Sequence, residues 1–362
     1  MPTIAQLEPG QVVGGVDTHK HTHVAAVANH LGKVLDTEAF PATRAGYRRL
    51  LTWLKAHGDV VAVGVEGCGS WGAGLARHLT SEAVVVLEVN RPNRQNRRRR
   101  GKSDPVDAEA AARAVLSGEA NVTPKAGDGP VEALRQLRVA RTGAMKARTA
   151  AANQFHSLGD TAPEPVRATL RPFTFRQRIA TAERWRPRPG ASVEANARRA
   201  LASVARRWRA LDDEARRLDD DIKAILDELA PRLLARHGVG YETAGQLLVA
   251  AGDNPDRLAN ERSFAALCGA SPVEASSGRT TRHRLNRGGD RQANSALWTI
   301  ARVRMANHPP TKAYVERRTT DGLSKREIMR CLKRYIAREL FRDIETIITP
   351  LAAGAEGPAR AA

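Results

Sequence analysis

Residues 11–40 read QVVGGVDTHKHTHVAAVANHLGKVLDTEAF, and their reading decides the fold. Residues 11–17 (QVVGGVD) read as a buried strand ending in an acid, Asp17. A turn at His19 and Lys20 leads to a second strand, His21 to Ala28, and a Gly-containing turn over 29–33 leads to a third, Val34 to Phe40. The period then changes. Thr43 to His57 carries Tyr47, Leu50, Leu51 and Leu54 on one helical face, with Thr43 as N-cap. Val60 to Glu66 (VVAVGVE) is a continuous apolar run, typical of a strand covered on both faces, and it too ends in an acid. Ser70 to Leu79 reads as a helix and Ala83 to Val89 as another buried strand.

Three strands joined by short turns, then helix, strand, helix, strand, is the ribonuclease H-like arrangement, an α/β fold. Side chains leave such a sheet at the C-terminal ends of its strands, where they meet ligands. Asp17 and Glu66 stand at two such ends, and they converge if their strands are neighbours.

Arg91 to Asp107 (RPNRQNRRRRGKSDPVD) supplies the next pieces. Arg91, Arg94, Arg97, Arg98, Arg99, Arg100 and Lys102 come with no acid among them, and Asp104 and Asp107 follow. With Ser103 as N-cap and Pro105 in the first turn, the two aspartates share one face of a helix. A solvated basic loop before an acidic helix start gives the same pattern. Four gathered carboxylates repel one another, however, so a divalent cation is their natural partner, and Mg²⁺ or Mn²⁺ suits an all-oxygen site. Arginines hold phosphates while carboxylates hold the cation against the phosphate being attacked. Glu109 turns to another helix face and reads as surface.

His19, His21 and His23 alternate, which in a strand puts them on one face; a zinc site would need a further ligand. The segment 67–72 (GCGSWG) opens a helix and offers backbone N–H groups to a phosphate, but it lacks the lysine and spacing of a P-loop. Residues 131–159 read as a helix. Pro163, Pro165, Pro172, Pro187 and Pro189, with Arg171, Arg176, Arg178 and Arg184, then read as an irregular basic connection. A second long helix runs from Val193 to Leu229. Its apolar residues Leu201, Val204, Trp208, Leu211, Ala215, Leu218, Ile222, Ile225 and Leu229 step by threes and fours, as in a coiled coil. Its partner is the 131–159 helix, a second subunit, or both; packing on its own domain is the plainer alternative. Gly238-Val239-Gly240 between two short helices resembles the hairpin of helix-hairpin-helix DNA-binding elements, and a plain helical turn is the alternative. Beyond it, Ser276 and Ser277 precede Gly278 in a polar loop, with Arg279, Arg282, His283, Arg284, Arg287 and Arg291 around them. A serine beside arginines can attack a phosphodiester, because guanidinium groups stabilise the developing charge. Most such serines only turn the chain.

The chain has 362 residues, enough for two or three domains, with 58 Lys+Arg against 39 Asp+Glu for a net charge of +19. That balance attracts nucleic acid. Aromatics at 4% do not favour base-stacking platforms. No apolar run approaches a membrane span and no signal-peptide core is present, so no membrane contact and a cytoplasmic location are expected. Cys68, Cys268 and Cys331 lie far apart, and no disulfide framework or zinc ribbon is expected.

The motifs GVDTHK at 15–20, GVEGCGSWG at 64–72 and KSDPVDAEA at 102–110 resemble those of the DEDD transposases of bacterial insertion sequences, the insertion-sequence-110 type, also described as bridge-RNA-guided recombinases. FAALCGASPVEASSGR followed by NRGGDR resembles the C-terminal domain of that family. The resemblance implies a RuvC-like catalytic domain at 1–125, a helical coiled-coil linker at 126–232, a C-terminal transposase domain at 233–350 and a flexible tail at 351–362. It implies that Asp17, Glu66, Asp104 and Asp107 bind metal, and that Ser277, with Ser276 the fallback, forms a phosphoserine link to DNA. It also implies donor and target DNA as partners, a non-coding guide RNA, and a dimer or tetramer. Nucleic-acid contacts are expected at Arg94, Arg97 to Arg100, Lys102, Gly238, Gly240, Arg279, Arg282, Arg284 and Arg287. The family's Lys-rich Gly-Asn signature reads Asn286-Arg287-Gly288-Gly289-Asp290 here. Two other readings are a RuvC-like junction-resolving endonuclease, which uses the acids and water, and a non-catalytic RNA- or DNA-binding protein.

Overall fold

The computed structural model describes residues 7–89, 103–253, 258, 260–275, 283–284, 286 and 288–354, with side chains described as far as 349. The chain divides into two compact units. One holds Met1–Gly129, Ala250–Arg291 and Arg330–Ala362, and the other Pro130–Val249 and Gln292–Met329.

The first unit is built on β1 (Gln11–Thr18), β2 (Thr22–Asn29), β3 (Val34–Pro41), β4 (Asp59–Glu66) and β5 (Val86–Val89), in the order β3-β2-β1-β4-β5. β1, β2 and β3 are an antiparallel meander, whereas β4 runs parallel to β1 and β5 parallel to β4. Helices α1 (Arg44–Ala56) and α2 (Ala73–Ser81) cover one face around Val16, Val27, Leu50, Leu54, Val63 and Leu75. α1 starts as its sequence predicts: the Thr43 hydroxyl accepts from the Gly46 amide at 3.2 Å. Helix α3 (Asp104–Leu116) covers the other face, with Ala111, Ala112 and Val115 on Val13, Ala62 and Val89.

The approach of α3 is set by two glycines. A methyl group on Gly15 would lie 2.1 Å from the Ala112 amide nitrogen and 2.3 Å from the Ala108 carbonyl oxygen. One on Gly64 would lie 2.6 Å from a Val115 methyl and 3.0 Å from the Ala111 carbonyl oxygen. Helix backbone therefore rests directly on strand backbone at Gly15, with alanines at 108, 111 and 112 facing it and the Val115 side chain seated on Gly64. Because side chains alternate along a strand, Asp17 and Glu66, two residues beyond these glycines, face the same helix.

Two boundaries differ from the sequence reading. α2 begins at Ala73 rather than at residue 70, because residues 67–72 fold into successive turns first. β5 begins at Val86, since Ala83 takes a left-handed conformation (φ +59°) where the chain leaves α2. After α3 the chain returns to the edge of β5, where the Glu88 amide donates to the Val122 carbonyl at 2.7 Å. Farther along in this unit, α10 (Glu261–Leu267) leads into the short hairpin β6 (Val273–Glu274) and β7 (His283–Arg284). Glu261 pairs with Arg334 at 2.5 Å, and Phe264 packs on Phe341.

The second unit is helical: α4 (Pro130–Asp160), α5 (Glu164–Leu170), α6 (Phe175–Glu183), α7 (Val193–Leu229), α8 (Pro231–Leu234), α9 (Tyr241–Ala251), α11 (Arg291–Asn307) and α12 (Pro309–Thr320); α13 (Lys325–Gly354) starts in it. α4 and α7 lie antiparallel, since Arg141 pairs with Asp219, Arg148 with Asp212 and Arg207 with Gln154. The predicted seam is buried at Leu201, Val204, Trp208, Ala215 and Ile222, while Leu211, Leu218, Ile225 and Leu229 are half-buried. Much of the proline-bearing stretch after α4 is not irregular. Pro163 and Pro165 sit at the start of α5, where a missing N–H costs nothing. Val166, Leu170, Ile179 and Ala182 then hold α5 and α6 on a core with Phe155, Leu201 and Trp208. Arg138, nearly buried, is forked onto Glu242 at 2.7 and 3.2 Å and reaches Gln246 at 3.0 Å, tying α4 to α9.

Gly15→Ala should lower stability by about 3 kcal/mol, the upper part of the range for overpacking, as read by thermal unfolding. Gly69→Ala, which meets nothing within 4 Å, should change it by no more than about 0.5 kcal/mol. In the second unit Asp212 is 1% exposed and pairs with Arg148 and Arg216. Asp212→Ala should cost about 2 kcal/mol in the same assay. That lies below the loss for a fully buried pair, because both arginines reach solvent.

Candidate active site

The four predicted acids are brought to one face of the first unit's sheet. Asp17 ends the central strand β1, Glu66 ends its parallel neighbour β4, and Asp104 and Asp107 occupy the first turn of α3 above them. Asp17 and Asp107 are buried, Glu66 is half-buried and Asp104 is exposed. The Thr18 hydroxyl donates to the Glu66 carbonyl at 2.8 Å and so ties the two strand ends together. Ser103 has the extended backbone of an N-cap, although its hydroxyl makes no capping bond.

Electrostatics register this proximity. Burial raises the Asp17 carboxyl above its ordinary range, His19 opposes that, and the charges of Glu66, Asp104 and Asp107 each push it higher. Carboxylates kept this close and partly dry are what a divalent cation stabilises, so the donor set fits one. Asp17, Asp104 and His19 each present a ligand atom within 4.8 Å of the others. Glu109 is no part of this group and pairs with Arg113 on the helix surface.

The three histidines do not share a face. His19 and His21 lie in the β1–β2 turn and are exposed, whereas His23 is fully buried in β2, stacked on Tyr47 of α1. Burial pushes the His23 imidazole below its ordinary pKa, which keeps the ring neutral. The sequence treats His19 as one of that trio; its nearness to Asp17 emerges only once the turn is folded. The 67–72 segment spends amides inward: Ser70 and Gly72 donate to the Gly67 carbonyl at 2.8 and 3.1 Å. Beneath it the Cys68 thiol is buried, bonded to the Val65 carbonyl and pushed up to about 12, as burial also pushes Cys268 to about 12. Neither thiol is a nucleophile near neutral pH.

The basic residues Arg94, Arg97, Arg98, Arg99, Arg100 and Lys102 lie outside the described residues, as do Ser276, Ser277, Arg279, Arg282 and Arg287. The two serines belong to the stretch that joins β6 to β7, and Arg284 is exposed on β7. In the second unit Gly238 takes a left-handed φ of +78° between α8 and α9. There the Val239 amide donates to the Arg236 carbonyl, and the Gly240 amide to the Thr243 hydroxyl at 3.0 Å.

Because the folded state disfavours ionised Asp17, that charge costs stability at pH values above its raised pKa. The cost disappears below the ordinary carboxyl range, where the group is protonated folded or unfolded. Asp17→Asn should therefore raise Tm at about pH 8 in a chelating buffer, with the gain fading towards about pH 4. An unchanged or lower Tm at the higher pH would remove the repulsion argument.

Known proteins resemble this chain over most of its length. A family model of DEDD type, described as an IS110 transposase, matches residues 14–161. A second, described as transposase IS116/IS110/IS902 family, matches 230–316. The transposase for insertion sequence element IS1328 of Yersinia enterocolitica is 27% identical over 307 residues, 82% of this chain and 85% of that protein. An uncharacterized 43.6 kDa protein of insertion element IS110 from Streptomyces coelicolor is 31% identical over 145 residues, spanning 39% of this chain and 35% of its own length. Among the described residues no helix is long and apolar enough to cross a membrane. The first family match contains all four acids and the second contains both serines, and with relatives of this kind the chain belongs to the IS110 family of DNA transposases.

Proposed function

We propose that this transposase breaks and rejoins DNA with two sets of residues: Asp17, Glu66, Asp104 and Asp107, which hold Mg²⁺ or Mn²⁺, and Ser277, the nucleophile. The observation that carries the reading is the seating of α3 on Gly15 and Gly64, which collects four carboxylates from three separate elements over one sheet face. The strand order β3-β2-β1-β4-β5, with β2 alone antiparallel to both its neighbours, supports a ribonuclease H-like, RuvC-like scaffold for residues 1–125. When bound, the cation neutralises charge on the phosphate under attack and on the oxygen that leaves. The Ser277 oxygen, with Ser276 as the alternative, forms a bond to phosphorus as the bond to one nucleotide oxygen breaks. That oxygen leaves as a hydroxyl carrying the proton, and a strand hydroxyl later reverses the step to rejoin DNA.

The arginines around the serine and the 91–102 block hold backbone phosphates of donor and target DNA, as the net charge of +19 favours. Gly238 and Gly240 with α8 and α9 form a further backbone contact in the 233–350 domain. A non-coding guide RNA selects the sites, and the α4–α7 pair of the 126–232 segment is the coiled coil through which two or four chains assemble. These parts rest on the family resemblance.

The test is strand transfer on the flanking DNA of the element, with co-expressed flanking RNA. Asp107→Asn and Ser277→Ala should each reduce joined product about a thousandfold or more. A chelator should do the same. If Ser277→Ala and Ser276→Ala both leave cutting intact while Asp107→Asn abolishes it, the chain acts as a water-using resolvase. If cutting is seen with neither acids nor metal, the four-acid reading is wrong.

A further inference from the structure

We propose that His19 is a nitrogen ligand to the cation held by the four acids, and that it biases the site towards a first-row transition ion such as Mn²⁺ over Mg²⁺. This rests on the four-acid reading above and adds a residue to it.

The strand places the ring. Asp17, Thr18 and His19 alternate in direction at the end of β1. Thr18 turns its hydroxyl to the Glu66 carbonyl, and the His19 amide donates to the Thr22 carbonyl at 3.1 Å, which extends the ladder by one residue. His19 therefore leaves the strand on the same side as Asp17, with Nδ1 3.6 Å from Asp17 Oδ2. That separation is longer than a good N–H···O hydrogen bond. Two donors on one octahedral ion, at about 2.1 Å from it, stand roughly 3 to 4.2 Å apart, and 3.6 Å falls within that interval. Asp104 closes the group, with one ligand atom from each of the three within 4.8 Å.

The neighbouring histidines act as controls within the same short segment. His21 is exposed and joins no such group, and His23 is buried against Tyr47. Only His19 combines solvent access, half its side chain being exposed, with carboxylates on the cation-facing side. The chemical consequence follows from ligand type. A carboxylate-only set suits Mg²⁺, which strongly prefers oxygen and gives up its waters reluctantly. Replacing one oxygen by an imidazole nitrogen favours ions that accept nitrogen and stand higher in the divalent affinity order.

The experiment uses the untagged full chain and Mn²⁺ alone. Pulsed electron paramagnetic resonance should show nitrogen coupling to bound Mn²⁺ in the wild type and in His21→Ala, and none in His19→Ala. Titration should show Mn²⁺ affinity falling about tenfold or more in His19→Ala, with Mg²⁺ competition changing far less. Bound Mn²⁺ that shows no nitrogen coupling, yet is lost in Asp107→Asn, would sink the His19 ligand and leave the four-acid site standing. Mn²⁺ binding that is absent, or indifferent to Asp107→Asn, would overturn the site and the ligand together.

Discussion

Backbone-to-backbone contact between α3 and the strands β1 and β4 is the constraint on which the first unit depends. A helix normally stands off a sheet by the thickness of its side chains. Here Gly15 and Gly64 remove that spacing, and the alanines of α3 let the helix backbone settle into it. Dispersion falls steeply with distance, so such contact gains attraction only when nothing intervenes. The same closeness brings the first turn of α3 down to the ends of β1 and β4. Carboxylates that repel one another are thus held together by apolar packing one or two helical turns away.

The second unit solves a different problem with different means. The seam of α7 is only partly apolar in practice: four of its nine predicted positions are half-buried, and Asp212 is buried among them. Arginines from α4 answer the acids of α7 at Asp212 and Asp219, and Arg138 reaches onward to α9. Buried ion pairs of this kind contribute little net stability but penalise any sliding of one helix along the other. They fix the relative level of two long helices, which apolar contacts alone would leave loosely defined.

Much of this was legible in the residues. Alternation and apolar runs located all five strands of the sheet, and the acids at positions 17, 66, 104 and 107 stood out because each ends a strand or starts a helix. What escaped was what depends on contacts between distant segments. GVD and GVE announce their acids, but nothing in either triplet says that the glycine is a seat for a helix lying some 45 to 100 residues farther along. The prolines after α4 signalled a break, yet Pro163 and Pro165 stand at a helix start, because Val166 and Ile179 found a core that local sequence does not reveal; around Pro187 and Pro189 the chain is irregular as read. The histidine trio was misjudged for a similar reason. The ladder ends with the His19 amide, so alternation sets His19 beside Asp17, whereas His21 follows the turn and His23 is buried in β2.

The glycine seat also has a genetic consequence. Every replacement at Gly15 or Gly64 adds at least a methyl group where helix backbone or a packed side chain already lies, so lesions there should lower the amount of folded protein. Exchanging a carboxylate for its amide leaves the shape of the site unchanged. Lesions of the first kind should behave as simple absence of the transposase and be recessive to an intact copy. If the carboxylates act as proposed, those of the second kind should leave a folded, inactive chain that still engages DNA, and so should interfere with an intact copy expressed beside it.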